Sequence, residues 1–104
     1  MEIRVNTPQG VKFHGEVVDK KFVRQVDWSK DRMRIFDAWS IHPDALKQII
    51  EMGIEQLEYV CGDQHYFIKL DLAREKGFEK EFSGGKTFYI PIKFWNIGNL
   101  NTLL

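Results

Sequence analysis

The chain has one cysteine, no net charge and no apolar run longer than a few residues. Cys61, being alone, cannot close an internal disulfide, and no Cys/His spacing matches a zinc site. Fifteen basic and fifteen acidic side chains cancel, so no overall field draws the protein to a polyanion or a membrane surface. A partner recognised by charge has to be recognised locally. The opening stretch MEIRVNTPQG lacks the charged and apolar regions of a signal peptide, and nothing is apolar for long enough to span a bilayer as a helix. These absences lead us to expect a soluble, cytoplasmic protein with no membrane partner, no metal and no cofactor.

The chain has 104 residues, of which 43% are hydrophobic and 29% charged, the composition of a globular domain. A chain of this size buries about 60–70% of its unfolded surface, enough for one modest core. With no repeat or linker, residues 1–104 are expected to form a single domain.

Hydrophobic periodicity gives the order of elements. EIRV and VKFHGEVV alternate around the NTPQG turn and read as a hairpin, with an irregularity expected at Gly15. KKFVRQVDW reads as a strand, with Phe22, Val26 and Trp28 on one face and Val23 on the other. RMRIFDAW alternates again. Ala45, Leu46, Ile49 and Ile50 recur at helical spacing, and Gly53 suits the left-handed stop. The principal helix is therefore placed at about 43–52.

A two-residue turn at Gly62–Asp63 would pair Cys61 with Gln64, Tyr59 with Tyr66 and Leu57 with Ile68, which puts the apolar residues on one face. A second short helix is placed at about 72–76, between Asp71 as N-cap and Gly77 as left-handed stop. FEKEFSGG reads as a loop. KTFYIPIKFW reads as a final strand, at a sheet edge or bulged at Pro91, and residues 97–104 as a loose tail. The fold class is α+β: a mixed, mainly antiparallel sheet with the principal helix packed on one face.

DAWSIHPDALKQIIEMG gathers Asp37, Trp39, His42 and Asp44 just before the principal helix. A general base or metal ligand at His42, oriented by a nearby carboxylate, is one reading. Helix-start chemistry is the simpler one. Pro43 suits the first helical position, Asp44 meets the positive end of the helix dipole, and His42 falls at the N-cap. SGGKTF resembles a phosphate-binding loop but has Lys80 where the first glycine belongs, and it opens a strand. VVDKK holds half of a metal-dependent nuclease signature, which Glu16 or Asp37 would have to complete.

Charge is unevenly spread. Lys20, Lys21, Arg24, Lys30, Arg32 and Arg34 face only Asp27 and Asp31 within their block, whereas Asp37 to Asp63 carries six acids against Lys47. Trp28 is interleaved among the basic residues. Cations with an aromatic platform on strands are how sheet modules hold single-stranded nucleic acid. The alternatives are a solubilised hairpin face, or complementary basic and acidic faces pairing two copies as a homodimer. Thirteen per cent aromatics, including Trp39, Trp95, Tyr66 and Tyr89, suggests that some line a protein-binding surface.

The order AWSIHPDALKQII, GIEQLEYV, YFIKLDLAREKG and FYIPIKFW resembles that of small proteins of bacteria and their phages or mobile elements, over about the last two-thirds of the chain. The resemblance implies a prokaryotic accessory protein and carries no activity. The reading is a small, non-enzymatic binding module for nucleic acid or a nucleoprotein, with Lys20, Lys21, Arg24, Trp28, Lys30, Arg32 and Arg34 as contacts. A small hydrolase or nuclease using His14, His42, His65 or Glu16/Asp19/Asp37, and a self-associating protein-interaction subunit, are the alternatives.

Overall fold

Cys61 pairs with Gln64, Tyr59 with Tyr66 and Leu57 with Ile68, the register expected from the turn and the apolar pattern. These residues belong to β5 (Gln56–Cys61) and β6 (Gln64–Lys69), joined at Gly62 in the left-handed region. The computed structural model describes residues 2–7, 10–25, 36–82 and 85–99.

Around that hairpin the described strands form two sheets. The larger has the order β1-β2-β3-β5-β6-β9, with β1 Glu2–Thr7, β2 Gly10–Val18, β3 Lys21–Gln25 and β9 Asn96–Asn99. All its pairings are antiparallel except β3 with β5, which runs parallel. The smaller has the order β4-β8-β7, with β4 Ala38–Ile41, β7 Phe78–Phe82 and β8 Gly85–Pro91. The fold is the expected mainly-sheet α+β class, built on two sheets rather than one.

The principal helix, α1 (Pro43–Glu51), starts and stops as its ends dictate. His42 is extended, and its Nδ1 accepts the Asp44 N–H at 3.1 Å. At the other end Gly53 takes φ +72. Its N–H donates to Ile50 and that of Ile54 to Ile49, which satisfies two terminal carbonyls. The second helix, α2 (Leu70–Lys76), begins earlier than expected. The Leu70 N–H, one of the first-turn donors with no partner inside the helix, donates to the Glu55 carbonyl at 2.9 Å, which fixes the start one residue before Asp71. Gly77 is extended (φ −76), not left-handed; the Phe88 ring occupies the space a Cβ would need there.

Four further expectations are corrected. FEKEF forms β7, paired along its length with β8. β8 is central in its sheet, and it tolerates Pro91 because β7 pairing ends at Tyr89, before the proline. Ile92–Phe94 then turns as a short 3-10 helix. The irregularity in the first hairpin lies between Val5 and Asn6, while Gly15 gives room to the Phe22 ring. Residues 97–99 of the expected tail, together with Asn96, form a strand on β6.

One buried cluster joins both sheets and both helices. Phe22, Leu57, Tyr59 and Ile68 come from the larger sheet, Trp39, Ile41 and Ile90 from the smaller, and Ala45 and Ile49 from α1. Each large apolar side chain removed from water contributes on the order of 2 kcal/mol. Trp39 meets Tyr59 edge-on at 5.0 Å, and Trp95 stacks on Tyr59 at 5.1 Å. The Tyr59 hydroxyl donates to the Ser40 carbonyl at 2.7 Å, tying β5 to β4.

Candidate functional site

The parity of β3 decides what the described part of the basic block can do. Phe22 and Arg24 point to the core, Arg24 buried and in register with Tyr59. Lys21, Val23 and Gln25 point to the outer face. Lys20 sits with Asp19 in the two-residue turn between β2 and β3, both in the left-handed region. Its Nζ lies 3.7 Å from Glu55, and that of Lys21 lies 3.8 Å from Glu58. Because β3 runs beside β5, the basic half of the sequence meets the acidic half inside one chain. Trp28, Lys30, Arg32 and Arg34 lie outside the described residues.

The other sequence candidates are separated. His42 caps α1, Trp39 is in the core, and Asp37 forms a left-handed turn whose carbonyl accepts the Ile92 N–H at 2.8 Å. His14 lies on β2 and His65 on β6. Asp19 is exposed in its turn.

Sequence reasoning missed a polar network on the outer face of the larger sheet. In the hairpin register Glu58 stands opposite Phe67, and His65 stands opposite Val60, so the two are diagonal neighbours on one face. His65 Nε2 is 3.5 Å from Glu58 Oε2, and both residues are buried. Gln56 donates to the other Glu58 oxygen at 2.6 Å, and Lys21 approaches it. His65 also lies against the Phe67 ring at 5.3 Å. The signal was present: the register already expected from the sequence sets this diagonal. A carboxylate holding an imidazole is one part of acid–base machinery. Cys61, the chain's thiol, points to the opposite face and is buried.

Beside this network the outer face is concave. A groove of about 410 Å³ is lined by Glu2, Gly15, Glu16, Val23 and Gln25. Glu2 and Glu16 are direct cross-strand partners.

The aromatic residues named from the sequence are mostly interior. Trp39, Trp95 and Tyr89 are buried, and Tyr66 is half-buried. Among the described aromatic side chains Phe36 is the exposed one, at 55%, and it was expected inside a strand. Instead Phe36 (φ +58) and Asp37 (φ +50) form a left-handed step, and β4 begins only at Ala38. Phe36 meets Tyr89 edge-on at 5.5 Å and Phe78 at 6.2 Å, while Phe78 stacks on Tyr89. The result is an exposed ring on an aromatic platform at one end of the smaller sheet.

Among the described residues no helix is long and apolar enough to cross a membrane, and no group of three or more His, Cys, Asp or Glu residues is placed to hold a metal ion. Comparison with known proteins found no matching family model, curated protein or solved structure.

Proposed function

We propose that this chain is a non-enzymatic binding module that holds a protein partner, with Phe36 as the anchor. The observation that carries the reading is that one residue bears two costs. A bulky L-residue in the left-handed region costs roughly 1–2 kcal/mol, and the same residue leaves its ring more than half exposed. Strain of this kind collects at functional positions, and aromatic anchors dominate the energetics of protein interfaces. The Phe78–Tyr89 platform beneath holds the ring in place, so little ordering is left to be done on binding.

The charge placement supports protein over nucleic acid as the partner. Lys20 and Lys21 already face Glu55 and Glu58, and Arg24 points into the core. The non-enzymatic part is supported by His65 and Cys61 facing opposite sides of their sheet.

Photo-cross-linking tests the proposal. With p-benzoylphenylalanine in place of Phe36, a discrete protein adduct is expected in cells. Excess unmodified protein should compete it away, and excess Phe36→Asn protein should not. A nucleic-acid adduct, or competition by Phe36→Asn equal to wild type, would overturn the reading. Titration with a single-stranded oligonucleotide provides the second arm. Salt-sensitive binding that Lys20→Ala/Lys21→Ala abolishes would establish the nucleic-acid module in its place.

A further inference from the structure

We infer that β9 is a self-pairing edge, through which two copies of this chain join β9 to β9 antiparallel and extend the larger sheet across a two-fold axis. An exposed edge is a template for another strand, and proteins guard their edges with charges, bulges or cover. The other sheet ends among the described residues are guarded. β1 carries the exposed Glu2 and is irregular between Val5 and Asn6. β7 carries Glu79, Lys80 and Glu81. β4 keeps Ala38, Trp39 and Ile41 buried.

Among the described residues β9 has none of these guards. Its sequence, Asn-Ile-Gly-Asn, has no charge and no proline, and Ile97 is 58% exposed. Nor is it an edge left to fray. Trp95, immediately before it, is buried, stacked on Tyr59 and donating to the Ile90 carbonyl at 3.2 Å.

Charge selects the occupant. A charged foreign strand finds no counter-charge on β9, whereas a second β9 brings no like charges into opposition. Side-chain parity then restricts the register. Ile97 stands opposite Tyr66 and shares its face, while Gly98 stands opposite His65 and shares the outer face. A two-fold axis perpendicular to the sheet keeps each face on its own side, so only like-parity residues can oppose. Near the strand centre that leaves Ile97 on Ile97, or Gly98 on Gly98. The first covers the exposed isoleucine and is the register we assign.

This interface uses the opposite sheet from Phe36, and the two readings can fail separately. Sedimentation velocity over a concentration series is expected to show a monomer–dimer equilibrium. Ile97→Lys, at an exposed position, should weaken dimerisation more than tenfold with an unchanged monomer melting temperature, while Ile97→Val and Phe36→Asn keep the dimer. Under mild oxidation Ile97→Cys should cross-link the dimer more readily than Gly98→Cys. A wild type that stays monomeric to its solubility limit, or an Ile97→Lys protein as dimeric as wild type, would overturn the inference. Faster cross-linking through Gly98→Cys would overturn the assigned register.

Discussion

Glu58 Oε2 lies 3.5 Å from His65 Nε2 on the outer face of the larger sheet, with neither side chain more than 10% exposed. Burying a carboxylate is costly unless donors satisfy it. Gln56 supplies a hydrogen bond and Lys21 a nearby charge, so Glu58 has partners on both oxygens. Lys21 is itself about half exposed, and a pair of that kind contributes little. The energetics of the network therefore rest mainly on Gln56, Glu58 and His65.

The first prediction follows from that arrangement. Glu58→Leu should cost about 1–3 kcal/mol by leaving the Gln56 amide without its acceptor and the buried His65 without its neighbouring carboxylate. The double variant Glu58→Leu/His65→Leu should cost less than the sum of the singles, with a coupling of about 1 kcal/mol or more, because an apolar pair replaces the polar one. Urea unfolding of the four proteins measures it. Additive single effects would show that the two side chains do not sense each other.

The α1 cap gives the second. Removing the imidazole by His42→Ala should destabilise the protein by about 1 kcal/mol, since the Asp44 N–H loses its acceptor. His42→Asn supplies a preferred cap and should restore or exceed wild-type stability. A reactive histidine would give a different pattern, in which neither variant changes stability.

How much of this was legible depended on whether local chemistry or distant packing decided each element. The β5–β6 register and both ends of α1 are set within a few residues, by Gly62, His42, Pro43 and Gly53. They appear as expected. α2 starts at Leu70 because its N–H meets Glu55, fifteen positions away in sequence, and Gly77 is extended because Phe88 needs the space. Nothing local to Asp71 or Gly77 encodes either fact. β7 reads as a loop because Lys80 breaks the alternation between Phe78 and Phe82, and only pairing with β8 makes it a strand. At the candidate sites, the parallel β3–β5 pairing turned the basic and acidic halves toward each other within one chain. A parallel pairing across thirty residues has no turn to announce it.

Two glycines separate conformational from steric cost. Gly53 has φ +72 and open space where a Cβ would go, so Gly53→Ala should cost about 1 kcal/mol from backbone strain alone. At Gly15 an added Cβ would run into the Phe22 ring and fall 2.8 Å from the Val23 carbonyl. Gly15→Ala should therefore cost more, about 2–3 kcal/mol, as overpacking does. Equal effects in thermal unfolding would contradict the packing of Phe22 over β2.

The link between the sheets is testable at one atom. Tyr59→Phe removes the donor to the Ser40 carbonyl while keeping the ring between Trp39 and Trp95. A loss of about 1–2 kcal/mol is expected, and hydrogen exchange should rise in β4 more than in β5. An unchanged β4 would mean the hydroxyl does not tie the sheets.

Phe36 offers the sharpest separation of stability from binding. Phe36→Asn places a residue that tolerates the left-handed region where a bulky ring now sits, relieving about 1 kcal/mol of strain. It also removes edge contacts to Phe78 and Tyr89, of about 0.5–1.5 kcal/mol in total for a half-exposed ring. The two terms oppose, so stability should change by less than about 1 kcal/mol. Binding has no such offset. If the ring is the anchor, losing it should cost at least about 2 kcal/mol, roughly a thirtyfold weaker complex with the cross-linked partner. Calorimetry on the purified pair, beside urea unfolding of the free protein, reads both quantities. A ring kept only for folding would reverse them, with stability falling by more than 1 kcal/mol and affinity unchanged.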